Sequence, residues 1–375
     1  MQPVERRFPK IASEIYALFA EREAKTVEID ILQPADPFLD MAGEDLRSRI
    51  FLTESETGET LCLRPEFTIP VCRDHIAKQA GTPLRYAYLG EVFRQRRTGG
   101  SAFFQAGIED LGETDRAAAD ARSIADAHQL VSRLLPKVPL TVTFGDQAIF
   151  EAVLEGLGLP RGWQKRLARA FGSPDLLSQS LNDLADNGAR TTLDAETARV
   201  ASTKDALIAH IEKRMAETGL SPSLGRSPQE IATRLSEKLA LEKVQLGESQ
   251  MQALKDFLSL KAPLGEATNA IADFAGKAGL VLNGAFEMFE TRIKAMERHG
   301  LKRDALIYDA GFGRPLDYYT GLVFEIAPRG GKAVLAGGGR YDRLLTLLGA
   351  REEIPGVGFS VWLDRVEALA GETGK

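Results

Sequence analysis

The sequence is poor in residues that form disulfide frameworks or metal centres. Its 375 residues include two cysteines, Cys62 and Cys72, and show no C-x-x-C or H-E-x-x-H spacing. Two cysteines cannot build a disulfide framework, and this usage is typical of proteins kept in a reducing compartment. The four histidines are scattered along the chain. We therefore predict no metal site and no cofactor.

Long apolar runs and an excess of positive charge are also missing. The amino-terminal segment has no apolar signal-peptide core, and no run of about 18 apolar residues occurs. This predicts a cytoplasmic protein with no membrane partner. The chain has 47 basic and 53 acidic residues, a formal net charge of −6. That balance excludes a chain-wide basic surface, so we expect no nucleic acid partner unless a local patch provides one.

The composition itself is that of a folded globular protein. Charged residues make up 27% of the chain and hydrophobic residues 44%, unlike a disordered sequence. A chain of this length exceeds one compact core, which predicts two or three units. Strand patterns lie in residues 1–145 and 300–375, whereas residues 146–299 show amphipathic helical spacing. We predict an α+β fold whose sheet-bearing domain is interrupted by this mostly helical region, to which we assign no chemistry.

Two segments of the first part predict a long antiparallel hairpin. Residues 84–92 and 103–111 have strand patterns, and a polar stretch joins them. Because side chains alternate along a strand, Gln105, Gly107 and Glu109 share one face, while Ala106 and Ile108 point to an apolar layer. The polar face is either a hollow with a carboxylate at its end or the solvated side of an antiparallel sheet.

A third segment contains a carboxylate next to a proline. Glu66 and Thr68 follow Pro65 at a predicted entry from a strand into a helix. Glu66 either caps the first turn of that helix or pairs with an amine. Spacing alone leaves both interpretations open.

Two tyrosine- and glycine-containing segments lie near the carboxyl end. As a strand, residues 317–326 would place Tyr319 and Gly321 on one face and Tyr318 with Leu322 on the other. Gly321 would make room for a planar group, or the tyrosines would belong to an apolar core. The three glycines 337–339 allow close approach to a ligand or simply form a tight turn, and they do not have P-loop spacing.

Taken in order, these segments resemble the catalytic domain of class II histidyl-tRNA synthetases. The resemblance covers roughly residues 8–145 and 300–370. It implies the class II synthetase-like fold, an antiparallel sheet flanked by helices, with a helical insertion. The matching segments are LRPEFT, GEVFRQRR, FFQAGIEDLG, GRPLDYYTGLVFEI, AGGGRYDRLL and PGVGFSVWLDR.

The resemblance also implies a histidine-binding pocket. Glu66, Thr68 and Gln105 would hold the α-amino group of histidine. Glu109 and Tyr319 would hold the imidazole, where a charged acceptor makes a strong hydrogen bond. Arg314 would lie near the carboxylate. The complete set implied for the pocket is Glu66, Thr68, Gln105, Glu109, Arg314, Tyr318 and Tyr319.

The nucleotide site of the synthetases is altered in this sequence. Arg94 and Arg365 match arginines of that site, but the family's Phe-Arg-x-Glu reads Phe-Arg-Gln-Arg here, which places Arg96 where a carboxylate is usual. Trp362 replaces a glycine that, in the family, lets adenine approach the backbone. Pro315 follows Arg314 where the family has glycine, and a proline there stiffens the turn. We therefore expect Arg94 and Arg365 to form a vestigial nucleotide site. A basic run follows in the same segment, Arg94, Arg96 and Arg97. Three interpretations stay open: it would contact RNA, it would contact the catalytic partner, or it would form a solvated hairpin loop.

A kept histidine pocket beside an altered nucleotide site resembles the regulatory subunits of ATP phosphoribosyltransferase, which lack the anticodon-binding domain. We expect no such domain before Lys375. The resemblance implies a non-catalytic chain that joins the short catalytic subunit in a hetero-octamer, activates it and senses histidine for feedback inhibition of histidine biosynthesis. Self-association as a dimer is expected by analogy. The alternative is a truncated histidyl-tRNA synthetase-like enzyme that activates histidine with ATP.

Overall fold

The computed structural model of the protein describes residues 9–41, 46–96, 100–185, 193–201, 203–218, 227–241, 246–299, 301, 305–314, 316 and 318–373. Arg97 and Pro315, singled out in the sequence, lie outside these ranges. No helix within them is long and apolar enough to cross a membrane. The cytoplasmic location stays a prediction.

Helices and strands alternate along the described ranges. The helices are α1 (Pro9–Glu21), α2 (Asp36–Met41), α3 (Thr68–Ala77), α4 (Arg116–Leu134), α5 (Gln147–Gly156), α6 (Arg161–Ala170), α7 (Pro174–Ala185), α8 (Ala195–Val200), α9 (Lys204–Glu217), α10 (Pro228–Leu241), α11 (Glu248–Ser259), α12 (Leu264–Ala278), α13 (Asn283–Arg298), α14 (Leu344–Leu347) and α15 (Leu363–Thr373). The strands are β1 (Lys25–Thr26), β2 (Leu32–Pro34), β3 (Leu52–Glu54), β4 (Thr60–Leu63), β5 (Leu84–Phe93), β6 (Ala102–Leu111), β7 (Leu140–Asp146), β8 (Lys261–Pro263), β9 (Leu306–Asp309), β10 (Leu322–Pro328), β11 (Ala336–Arg340) and β12 (Gly356–Trp362).

A nine-stranded sheet organises the described residues. Its strand order is β1-β5-β6-β12-β11-β10-β7-β9-β8, and a three-stranded sheet, β2-β4-β3, lies apart from it. Strand pairs are antiparallel except β1–β5 and β7–β9. In the β5–β6 hairpin Leu84 is opposite Leu111 and Phe93 is opposite Ala102. The predicted antiparallel hairpin and the α+β class are therefore confirmed.

The two faces of this sheet are covered by different cores. Ala106 and Ile108 of β6, with Phe359 of β12, belong to a large apolar core shared with α4 and α13. The alanine-rich face of α4 lets that helix lie close to the strands. The opposite face is covered by a second core that is rich in tyrosine and includes Tyr88 and Tyr341. Strand alternation thus separates an apolar layer from a second layer that holds polar groups.

The described residues between 147 and 299 are helical apart from β8 and the connecting turns, as their spacing predicts. Phe150, Trp163 and Phe257, from α5, α6 and α11, are buried in the same apolar core as the sheet. A separate cluster is formed by α9 and α10 around Leu207 and Ala232. The ends of this region therefore pack with the sheet, and its middle buries a core of its own. The division into domains at 145 and 300 stays a prediction.

Residues 27–32 alternate in polarity, which predicts a strand, but they do not form one continuous strand. The chain pairs with β5 only as β1, leaves the large sheet, and joins the small sheet as β2. Between the two, Arg64 donates to the Asp30 carbonyl at 3.3 Å and to the Glu91 carbonyl at 2.7 Å. A buried guanidinium thus replaces strand partners for this stretch of backbone, which alternation in the sequence cannot reveal.

Candidate functional site

A pocket opens on the aromatic face of the large sheet. Strands β6, β11 and β12 form its floor, and its walls come from the start of α3 and from Arg314, Leu316, Tyr318 and Tyr319. It encloses about 90 Å³, whereas one water needs roughly 10–15 Å³. The predicted residues that line it are Glu66, Thr68, Gln105, Arg314, Tyr318 and Tyr319, and Arg94 lines it too.

Glu66 closes the amino-terminal end of α3. Its carboxylate accepts the backbone N–H of Thr68 at 2.6 Å and that of Ile69 at 2.9 Å. The cap predicted from the sequence is therefore present. The same carboxylate lines the pocket, and burial raises its pKa while the two backbone bonds oppose that rise. A carboxylate has about four acceptor positions, so capping leaves acceptors that face the cavity.

Gln105 and Glu109 lie on the same buried face of β6. Each is 1% exposed, so the alternative of a solvated sheet face is wrong. The reason is that the start of α3 and Tyr341 cover this face, since the hydroxyls of Thr68 and Tyr341 both donate to Glu109. The Gln105 Oε1 atom is buried and accepts no hydrogen bond from the described residues. It is an unused acceptor in the pocket wall.

Glu109 lies behind the lining rather than in it. Its carboxylate accepts the Thr68 hydroxyl at 2.7 Å and also the Tyr341 hydroxyl. A Cβ at position 358 would lie 1.8 Å from Glu109 Oε2, so only glycine leaves room for the carboxylate there. Burial raises the pKa of Glu109 to about 8, against the hydrogen bonds from Tyr341 and Thr68. The hydroxyls of Thr68 and Tyr341 thus lie between the Glu109 carboxylate and the cavity, because both residues line it and Glu109 does not.

The tyrosines form one side of the pocket. Tyr318 packs against Tyr319 with ring centroids 5.0 Å apart and against the edge of Tyr341 at 6.0 Å. The prediction that Tyr318 and Tyr319 lie on opposite faces of a strand is wrong, because β10 begins only at Leu322. Both residues precede the strand and line the pocket. Tyr341 was missed, although alternation from Gly337 and Gly339 would have placed it on the same face.

The glycine run 337–339 is a strand and not a turn. It forms the middle of β11. The apolar residues 333–335, whose pattern predicts a strand, precede β11 and are not part of it. A Cβ at Gly337 would lie 2.2 Å from Arg314 Nη1, and one at Gly339 would lie 2.7 Å from the Tyr319 ring. These glycines, and not Gly321, let Arg314 and Tyr319 lie against the sheet.

Arg314 is held by a carboxylate at the pocket wall. Its Nη1 donates to Glu325 Oε1 at 2.7 Å, and its guanidinium carbon is 5.6 Å from the centre of the Trp362 ring. The Nε atom is buried without a partner among the described residues. Arg314 is therefore fixed in direction and still has a donor available.

The residues predicted to belong to an altered nucleotide site make contacts within the protein. Arg96 pairs with Asp364 at 3.2 Å and lies 3.6 Å from the centre of the Phe103 ring. Arg365 donates to the Val334 carbonyl at 2.6 Å and does not line the pocket. The Trp362 indole lines the pocket itself. Arg96 thus packs against the hairpin face and is not a free solvated side chain.

A buried ion network holds β11 from its other face. Arg340 donates to Asp120 at 2.7 Å and to Asp342 at 2.6 Å. Arg292 of α13 donates to the second oxygen of Asp120 at 2.6 Å and also to Asp146. Asp120 therefore joins two guanidinium groups, and this fixes the strand that carries the pocket glycines. No three His, Cys, Asp or Glu side chains group as metal ligands within the described ranges.

Comparison with known proteins gives consistent matches over nearly the whole chain. The family model for histidyl-tRNA synthetase matches residues 5–366. An ATP phosphoribosyltransferase regulatory subunit from Mesorhizobium japonicum is 64% identical over 365 residues, covering 97% of this chain and 98% of that protein. A protein of the same name from Agrobacterium fabrum is 56% identical and covers 97% of each chain.

Solved structures show the same fold. An ATP phosphoribosyltransferase regulatory subunit/histidyl-tRNA synthetase from Bacillus halodurans matches with a TM-score of 0.65 at 20% identity, covering 98% of this chain and 82% of that one. The histidyl-tRNA synthetase of Nostoc matches with a TM-score of 0.66 at 16% identity, covering 99% and 73%. At these identities the likeness concerns the fold alone, and it confirms the class II synthetase-like architecture.

Proposed function

The chain belongs to the family of ATP phosphoribosyltransferase regulatory subunits, within the wider histidyl-tRNA synthetase family, and on that premise we propose that it senses histidine and controls a catalytic ATP phosphoribosyltransferase chain. The observation that carries the histidine assignment is the closed set of acceptors around the pocket. Glu66, Gln105, Thr68 and Tyr341 line the cavity, and the Gln105 Oε1 atom accepts no hydrogen bond from the described residues. A free amino acid brings the matching N–H donors.

The α-amino group of histidine would bind between Glu66, Thr68 and Gln105. An ammonium has three donors and no acceptor. Glu66 retains acceptor positions after capping α3, and Gln105 Oε1 accepts from no described residue. A bound ammonium would satisfy this buried oxygen, which otherwise carries a desolvation cost of about 1–3 kcal/mol. Arg314, with a free Nε donor, would meet the carboxylate.

Glu109 would act on the imidazole through hydroxyl groups. When Glu109 is ionised, Thr68 and Tyr341 both donate to it, and their lone pairs are left to accept an N–H from the ligand. When Glu109 is protonated, one hydroxyl must accept its proton and turns its own hydrogen toward the cavity. Ionised Glu109 thus sets the direction of the pocket hydroxyls. In this scheme it is a positioning residue rather than a direct ligand.

Regulation requires more than histidine binding. A bound ligand shifts the complex between active and inactive states only if its affinity for those states differs. We propose that the chain joins the short catalytic subunit as a hetero-octamer of four and four, activates it, and lowers its activity when histidine is bound. Residues 318–319, which connect the pocket to β10, are a short route by which an occupied pocket would be sensed.

We also propose that synthetase activity is lost. The Trp362 indole lines the pocket at a position where the resemblance implies glycine, and Arg96, where it implies a carboxylate, pairs with Asp364. Histidine-dependent exchange of pyrophosphate into ATP should therefore be absent from the purified chain. Robust exchange would favour the alternative, a truncated synthetase-like enzyme, because Arg94 and Arg314 still line the pocket.

The test uses the full-length chain with a short ATP phosphoribosyltransferase from a related organism. The two proteins should co-purify, the complex should be more active than the catalytic chain alone, and histidine should inhibit the complex. A complex that forms but ignores histidine would contradict the sensing role. A chain that binds histidine without joining or activating the catalytic subunit would contradict the regulatory role.

A further inference from the structure

A second cavity lies on the far side of the pocket wall. It measures about 370 Å³, and its lining comes from α5, α6, the described residues among 314–319, and α14 with the preceding Arg343. Arg314, Leu316, Tyr318 and Tyr319 line both cavities. Arg94 lines only the first pocket, and Arg365 lines neither cavity. This space is therefore separate from the residues predicted to form the altered nucleotide site. We call it the basic cleft, after Lys165, Arg169 and Arg343 in its lining.

The charges of the basic cleft are unbalanced. Lys165 and Arg169 lie one turn apart on α6, and with Arg343 they are exposed and form no ion pair with any described residue. The lining contains one carboxylate, Glu151, which accepts from the Gln147 amide at 3.1 Å. Arg314 is neutralised by Glu325. Three unpaired cations against one carboxylate leave an excess of positive charge, in a chain whose formal charge is −6.

We propose that the basic cleft binds a small phosphate-bearing molecule of the sugar phosphate or nucleotide class. Guanidinium groups form paired hydrogen bonds with phosphate oxygens, and two of the three unpaired cations are arginines. Arg314 also lines the cleft, where Glu325 accepts from it at 2.7 Å, so the three exposed cations supply the main attraction for an anion. The cleft is bounded on three sides by separate elements, which suits a small molecule better than an acidic protein segment.

The shared wall connects this site to the proposed histidine pocket, and this part of the inference rests on the proposed function. An anion in the basic cleft adds negative charge close to Arg314, the group proposed to receive the histidine carboxylate. The two ligands would therefore weaken each other, and by thermodynamic linkage the factor is the same in both directions. The histidine sensor would then also respond to a phosphorylated metabolite.

The experiment is a calorimetric titration of the full-length chain with inorganic pyrophosphate at low salt. We expect saturable binding that weakens as salt is added. The double variant Lys165→Ala, Arg169→Ala should lose about tenfold or more in affinity, since charge-assisted hydrogen bonds are removed. A matched control, Lys255→Ala with Arg298→Ala, removes two exposed cations from α11 and α13, which do not line the cleft. The control should bind like the wild type.

Absence of pyrophosphate binding, or an equal loss in both double variants, would overturn the site. If the cleft variant loses affinity for the catalytic subunit while the wild type binds no pyrophosphate, the surface is a protein contact and the inference is wrong. Histidine is then titrated with and without saturating pyrophosphate, and its affinity should fall about fivefold. An unchanged affinity would overturn the coupling. Failure of histidine to bind at all would instead contradict the proposed function, because the pyrophosphate titration needs no histidine.

Discussion

Replacing Glu109 with glutamine tests how the pocket recognises its ligand. Glutamine has nearly the shape of a protonated glutamate, with one acceptor and one donor end. Burial raises the pKa of Glu109 to about 8. At pH 7, in the absence of ligand, most molecules therefore carry protonated Glu109, which glutamine imitates. We therefore expect the variant to fold normally. It cannot ionise, however, so one hydroxyl keeps a hydrogen directed at the cavity.

The magnitude follows from the two hydroxyls that Glu109 orients, Thr68 at 2.7 Å and Tyr341. A hydrogen bond to a charged group contributes about 1.5–3 kcal/mol, and a neutral one about 0.5–1.5 kcal/mol. In Glu109→Gln one hydroxyl exchanges a hydrogen bond to a charged group for a neutral one. The difference between the two should weaken histidine binding by about 1–2 kcal/mol, or roughly 5- to 30-fold. In the wild type, affinity should also rise between about pH 6.5 and pH 8 as Glu109 ionises, and the variant should not show this rise.

The assay is isothermal titration with histidine across that pH range. Glu367→Gln, an exposed change on α15, removes one carboxylate elsewhere and should leave the titration unchanged. Melting temperatures of both variants check that they are folded. Histidine affinities of Glu109→Gln within twofold of the wild type at every pH would falsify the proposed role of this carboxylate.

Other predictions concern stability and space around the pocket. Asp120→Asn breaks the link between Arg292 and Arg340 and should lower the free energy of unfolding by about 3–5 kcal/mol, measured with urea, because buried charges lose their partner. Gly358→Ala would place a Cβ 1.8 Å from Glu109 Oε2, so it should abolish histidine binding and cost about 1–3 kcal/mol of stability. Between about pH 5 and pH 8 the unfolding free energy should contain a falling contribution, because folded Glu109 keeps its proton up to about 8 whereas the unfolded carboxyl ionises near its ordinary pKa; Glu109→Gln should remove that contribution.

Matched variants separate these effects from general damage. Asp273→Asn, the control for Asp120→Asn, changes an exposed carboxylate on α12. Gly276→Ala, the control for Gly358→Ala, adds a Cβ that meets no atom within 4 Å. Both control variants should stay close to the wild type in stability and in histidine binding. A small stability loss in Asp120→Asn, normal histidine binding by Gly358→Ala, or a pH dependence unchanged in Glu109→Gln would each contradict the corresponding argument.

Much of the hairpin could be predicted from local pattern. Residues 84–92 and 103–111 alternate in polarity, and alternation put Gln105 and Glu109 on one face, as the structure confirms. Alternation could not tell whether that face is buried. Burial depends on the start of α3 and on Tyr341, which are distant in sequence and whose side chains cover this face and contact Glu109. Long-range packing therefore decided between a solvated face and a pocket.

Glycine and tyrosine positions were harder to interpret. Three successive glycines usually indicate a turn, yet β11 runs through them because neighbouring strands pair on both sides. Their missing side chains make room for Arg314 and Tyr319, which come from a different segment. The start of β10 was also placed too early, so Tyr318 was assigned to the wrong face. A strand boundary set by tertiary contacts has no local signal in this stretch.

The sequence by itself determined the order of the matching segments, and the resemblance that they carry implied the class of fold and most residues of the candidate pocket. Local alternation added the shared face of Gln105 and Glu109. Only the tertiary structure placed Glu109 behind Thr68 and Tyr341 and joined Asp120 to two arginines. It alone brought α6 beside the pocket wall, forming the basic cleft. The physical reason is that burial, ion pairing and cavities arise between segments distant in the chain, where spacing in the sequence carries no information about distance in space.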